Sequence, residues 1–124
     1  MKSIQLKIAI VLGLLSVMIG AFGAHAFKPF LETHKHLDTF ETASKYLIYG
    51  SFSIFVAFFL NHLFPNKWFR YAANAFIIGT FVFCVSLYLI CLTHQKIFGA
   101  IAPVGGISLM LAWVMLLVGV CQKN

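Results

Sequence analysis

Charge is what this sequence has least of. Only 10% of its 124 residues are Asp, Glu, Lys or Arg, and just three are acidic. A soluble domain of this length needs many more charged groups to cover its exterior, so a water-exposed fold is excluded. Cysteine is also sparse. Cys84, Cys91 and Cys121 show neither CxxC nor Cys/His finger spacing, which removes zinc fingers and dithiol redox motifs. Cys84 and Cys91 lie seven apart on one helical face and read as small buried hydrophobes. Nor is there a nucleophile motif, a phosphate loop or a pair of carboxylates placed for acid–base work, so no enzyme activity and no cofactor are expected.

The formal charge of +6 would point to nucleic acid in a soluble protein. Here the nine basic residues sit at the edges of apolar blocks, with no basic stripe interleaved with exposed aromatics, so no nucleic-acid partner is expected. The five histidines do not assemble a metal site on paper. His34 and His36 are separated by one residue, which suits neither one helical face nor a finger, and neither metal nor haem is expected.

What is present is 61% hydrophobic residue, gathered in four blocks of spanning length. They run from about 4 to 26, 46 to 64, 72 to 92 and 97 to 121. The first follows Lys2 and reaches Ala24-His25-Ala26, an outline that imitates a secretory leader. Its uncharged stretch from Ile8 to Phe27 is long enough to span, however. Its small residues Gly13, Ser16, Gly20, Gly23 and Ala24 form a packing stripe that a discarded leader would not need, so a retained span is expected. Similar stripes occur in the second span at Gly50, Ser53 and Ala57, in the third at Ala75, Gly79 and Ser86, and in the fourth at Gly105, Ala112 and Gly119.

The segment from Lys28 to Lys45 holds all three acids, Glu32, Asp38 and Glu41. Pro29 opens a short helix in which Phe30, Leu31, His34 and Leu37 share a face, giving an interfacial helix. Asp38 followed by Glu41 resembles a capping box, placing the start of the next long helix near Thr39. The fold class is therefore all-α: an integral membrane bundle of four transmembrane helices with a short interfacial helix between spans one and two, forming one domain. Lys2, Lys7, Lys67, Arg70 and Lys123 lie on one side against Lys28, Lys35, Lys45 and Lys96 on the other. This bias favours cytoplasmic termini in a bacterial-type inner membrane.

No Asp, Glu, Lys or Arg lies near the centre of any span, whereas coupled transporters usually keep one there. Polar chemistry instead gathers at the non-cytoplasmic end. One expectation is a shallow pocket in which His25 and Glu41 exchange protons or hydrogen bonds and Tyr46 or Tyr88 forms walls. The alternative is that these residues anchor helix ends at the interface. Pro103, Gly105 and Gly106 also have two readings, an unwound segment offering carbonyl oxygens to a ligand or a bend that lets the fourth helix pack.

Four stretches together match a known pattern: Gly20-Ala21-Phe22-Gly23-Ala24-His25; Phe40-Glu41-Thr42-Ala43 with Tyr46 and Tyr49; Ser86-Leu87-Tyr88; and residues 99–106 from Gly99 to Gly106, containing Pro103. The chain resembles the YgdD/YwdK family of small membrane proteins, a domain family of unknown function. The resemblance implies four spans, a plasma-membrane location and an uncleaved first helix, and it supplies no activity. Gly50 and Val85 depart from the pattern, which usually has His and Gly there. The functional expectation is a noncatalytic accessory or scaffold component, contacting lipid and a membrane-protein partner or further copies of itself. The alternative is a small-molecule or ion carrier with its pocket at the non-cytoplasmic end.

Overall fold

The computed structural model describes residues 2–123; the side chains of Lys2, Ser3, Ala24 and Lys123 lie outside that description, and with them Ala24's part in the small-residue stripe. Five helices follow one another: α1 (Lys2–His25), α2 (Lys28–Thr33), α3 (Leu37–Leu63), α4 (Lys67–Thr93) and α5 (Phe98–Lys123). All but α2 are long and apolar enough to cross a membrane. At about 1.5 Å per residue, the 27 residues of α4 reach about 40 Å, the thickness of a bilayer with its headgroups.

The spanning helices form a staggered row rather than a closed square. α1 packs on α3, α3 on α4 and α4 on α5, while α1 only brushes α4. Lipid tails are as apolar as leucine, so such contacts depend on close backbone approach and on polar groups that find partners across the helices. Each junction has both. Between α1 and α3, Ala9 is fully buried and its carbonyl accepts a 2.6 Å hydrogen bond from Ser51 Oγ. Between α3 and α4, Gly50 lies against Thr80, and Cys84 Sγ donates to the Ala43 carbonyl at 3.3 Å. Between α4 and α5, Gly79 faces Gly105, and Ser108 Oγ donates to the Ala75 carbonyl at 2.9 Å. The buried cysteines are thus small interhelical residues. Cys91 Sγ reaches the His36 carbonyl at 3.7 Å.

One apolar core runs through the row, with Ala9 and Leu12 from α1, Leu47 and Ile54 from α3, Phe69 and Phe76 from α4, and Ala112 and Leu116 from α5. The seven-residue stripe of α5 faces α4 as its spacing suggested: Gly105 meets Phe83 backbone, Ala112 is fully buried and Gly119 meets the Phe69 ring. Thr80 is also fully buried, and its Oγ1 has no hydrogen-bond partner beside Gly50.

Three expectations need correction. α3 begins at Leu37, its N-cap is His36 without a side-chain bond, and Asp38 lies inside the first turn. The capping box is therefore absent, although a carboxylate there still suits the positive end of the helix dipole. The third span, expected from about 72, starts earlier: the α3–α4 connection is confined to 64–66, because Asn66 caps α4 by accepting from Trp68 N at 2.9 Å and Lys67 already belongs to the helix. Finally, α5 is helical throughout Pro103, Gly105 and Gly106, so no unwound segment exists there. Pro103 lies near the start of α5 on an exposed face, where the missing N–H deprives only the Gly99 carbonyl.

Two contacts define the ends of the row. Gln5 Nε2 donates to Asn74 Oδ1 at 2.8 Å and Asn66 Nδ2 to the Gly119 carbonyl at 3.3 Å, so the chain ends share one side with the α3–α4 turn. The opposite side carries α2 and the α4–α5 turn.

The two adjacent glycines of α5 supply a direct test. A Cβ on Gly105 would come within 2.5 Å of Phe83 N, whereas one on Gly106 meets nothing closer than 3.9 Å. Gly105→Ala is expected to cost about 1–3 kcal/mol through overpacking against immovable backbone, while Gly106→Ala leaves stability unchanged or raised. Unfolding of both variants in mild detergent checks the contrast, and equal midpoints would contradict this packing.

Candidate functional site

The polar end of the row is built by two short reversals. α1 stops at His25, and Pro29, in the first turn of α2, restarts the chain with its fixed φ and no wasted N–H. α2 then lies across the end of the row, burying Leu31 beside Phe40 and Cys91. Lys35 takes a left-handed conformation at φ 61° to turn the chain into α3, and His94 takes the same φ as the C-cap of α4. Non-glycine residues adopt this region at a cost, so both turns are held by what surrounds them.

Between α1, α2 and α3 these reversals leave a hollow of about 250 Å³. Gly20 and Gly23 line it from α1, Lys28 from α2, and Leu37, Phe40, Glu41 and Ser44 from α3. The glycines act differently. Gly23 lets the Phe40 ring lie directly on α1, whereas nothing approaches within 4 Å of a Cβ on Gly20, which keeps that part of the wall open. Ser44 is tied to Tyr88 by a 2.9 Å hydrogen bond between their hydroxyls, and Tyr88 meets Phe40 edge-on with ring centroids 5.5 Å apart. Among the described residues no ion pair joins Lys28 and Glu41, although both line the hollow. A cation and an anion thus line one hollow together with apolar walls.

A second, more apolar groove of about 380 Å³ lies between α3 and α5 over α4. Tyr46, Phe83, Gly106 and Trp113 line it, and the Tyr46 and Phe83 rings meet at 5.0 Å.

The residues singled out in the sequence therefore do not form one pocket. Glu41 lines the hollow and Tyr88 stands behind it through Ser44. His25 faces a shallow groove of α1 alone, with Val17 and Phe22. Tyr46 and Gly106 belong to the α3–α5 groove, and Gly105 closes the α4–α5 contact. Ser86 bonds within its own helix to the Val82 carbonyl at 2.5 Å, and Pro103 lies exposed. Lys28, Gly20 and Ser44 complete the hollow. Gly20 carried a signal as part of the stretch ending the first span, whereas Lys28 read only as an edge anchor.

Sequence spacing also missed a histidine stack. The αL turn at Lys35 and the αL cap at His94 bring three imidazoles together. The His34 and His94 ring centroids are 4.2 Å apart, His36 and His94 are 5.0 Å apart, and Phe30 lies 4.6 Å from His34. The His36 and His94 rings are stacked with 15° between their planes, whereas His34 tilts by 30° against His94. Among the described residues no group of three His, Cys, Asp or Glu is arranged to hold a metal. Desolvation within the stack, and then charge on His34 and His36, hold His94 below the ordinary imidazole range.

A lowered folded-state value means that the unfolded chain takes up the His94 proton first as pH falls. Stability should therefore decline as pH drops below about 6.5, the unperturbed histidine value, and level off below the depressed folded one. His94→Asn tolerates the left-handed cap and removes this titration, so its unfolding midpoint in detergent should depend less on pH. Identical pH slopes for the two proteins would contradict the stack's influence.

Comparison with known proteins gives the chain its relatives. The model of a family described as protein of unknown function (DUF423) matches residues 19–106. The membrane protein YwdK of Bacillus subtilis is 32% identical, over 91% of this chain and 95% of its own length. A membrane protein of Staphylococcus aureus, SAB0533, is 30% identical over 91% and 94%. The inner membrane protein YgdD of Escherichia coli K12 is 28% identical over 93% and 87%. No solved structure matches. With four helices able to span a bilayer and a family match covering most of its length, the chain belongs to the DUF423 family of multi-pass membrane proteins.

Proposed function

We propose that this protein is a noncatalytic accessory component of a bacterial inner membrane, which engages the polar group of a partner molecule in the hollow between α1, α2 and α3. The observation that carries this reading is the convergence of Gly20 and Gly23, Phe40 and Glu41, and Lys28 on one cavity, with the Ser44–Tyr88 pair beside it. An unpaired cation and anion on apolar walls form a recognition surface. The carrier alternative has less support. Leu12, Leu47, Ile54, Phe76 and Cys84 fill the row as one packed core, and α5 has no break at Pro103 that would offer carbonyls to a solute. The names of the relatives YwdK and YgdD add a membrane location and nothing about activity.

On this reading the hollow faces the non-cytoplasmic side and the termini the cytoplasm, following the five-to-four bias of basic residues. A photo-crosslinking residue at Leu37 should yield a discrete adduct in native membranes, while the same group at the lipid-facing Leu117 yields only diffuse lipid labelling. A reporter fused to the C-terminus should be active in the cytoplasm. Indistinguishable labelling at the two positions, or Glu41-dependent solute uptake into reconstituted vesicles, would overturn the accessory reading.

A further inference from the structure

Resting on the reading that the hollow engages a polar group, we infer that its occupant carries an ammonium joined through a short linker to a phosphate, the chemistry of a phosphoethanolamine headgroup. The hollow sets three requirements. Lys28 and Glu41 line the same cavity without an ion pair between them, so an occupant satisfying both must bear an anion and a cation at once. An exposed Lys–Glu contact contributes only about 0–1 kcal/mol, so such an occupant faces little competition from the two side chains closing on each other. Glu41 is an acceptor only, and it binds best a cation with N–H donors. A primary ammonium offers three, whereas a trimethylated nitrogen offers none. Lys28, a compact point charge with three donors, suits a phosphate oxygen.

Size and position agree with this chemistry. About 250 Å³ is the room of about eight waters at about 30 Å³ each, comparable to the eight or so non-hydrogen atoms of phosphoethanolamine. The hollow lies where α1 ends and α3 begins, at the level of the lipid headgroups. Leu37, Phe40 and the open face of Gly20 flank the charges with apolar surface, which suits a headgroup whose acyl chains continue along the row into lipid. The Ser44–Tyr88 pair fixes the wall from α4, so the cavity is bounded by packed elements rather than by a loop.

The test uses the full-length protein in nanodiscs of equal phosphatidylethanolamine, phosphatidylcholine and phosphatidylglycerol, released into native mass spectrometry. The wild type should retain phosphatidylethanolamine several-fold over the other two. Glu41→Gln should bring the phosphatidylethanolamine-to-phosphatidylcholine ratio near one, and Lys28→Gln should lower retention of every phosphate-bearing lipid. Both variants replace exposed side chains, and unchanged unfolding midpoints would show that they fold. Soluble phosphoethanolamine is then added. Displacement of the lipid supports the inference with free and lipid-borne ligand both accepted, and selective retention without displacement supports it with the lipid as the source. Equal retention of the three lipids by wild type, or ratios unmoved by Glu41→Gln, overturns it. In that event a discrete adduct from Leu37 would leave the accessory reading standing with another occupant, whereas loss of that adduct as well would remove both.

Discussion

Close approach of helix backbones is the constraint on which this structure depends. In water a helix can be held by burying leucines, but in lipid that transfer contributes almost nothing, and dispersion at short range has to serve instead. Gly79 and Gly105 bring α4 and α5 together until each lies against the other's backbone, and Gly50 admits the Thr80 side chain of α4 against α3. Hydroxyl and thiol groups then reach carbonyls across the gaps, from Ser51 to Ala9, Cys84 to Ala43 and Ser108 to Ala75. These positions occur in consecutive pairs along the order α1, α3, α4, α5. A row with open grooves on its flanks follows, because a closed square would need small faces on both sides of α1 and α5.

That row leaves the candidate site at one end. α2 crosses there and brings Lys28 to the hollow that Glu41 also lines, and the two left-handed residues Lys35 and His94 reverse the chain so that three imidazoles meet. Gly20 and Gly23 show how little separates scaffold from site. Three residues apart on one helix, the second admits the Phe40 ring while the first leaves space unfilled.

Much of the fold was legible before any coordinates. Span length and the lack of charge identify the four helices, Pro29 marks α2, and the spacing of Gly105, Ala112 and Gly119 marks the packed face of α5, because each signal is local and periodic. The site was less legible. Asp38 and Glu41 fit a capping pattern, yet His36 is the N-cap and the helix begins at Leu37, since docking of Leu31 beside Phe40 and Cys91 fixes where the chain turns. The sequence pattern gathers His25, Glu41 and Tyr46 toward one end but does not say which groove each faces. That depends on helix rotation, which is set by contacts between residues tens of positions apart. The histidine stack was invisible for the same reason: His94 meets His34 and His36 only through two unusual φ values.

The most direct measurement of the central claim is oxygen accessibility of single spin labels along α5 in a bilayer. As the last helix of the row, α5 should show one shielded stripe. A label at Leu116 should be protected, while labels at Val114 and Leu117, whose native side chains are 54% and 64% exposed, should be open to lipid. Protection on two opposite faces of α5, or uniform accessibility along it, would contradict the row held together by small-residue contacts.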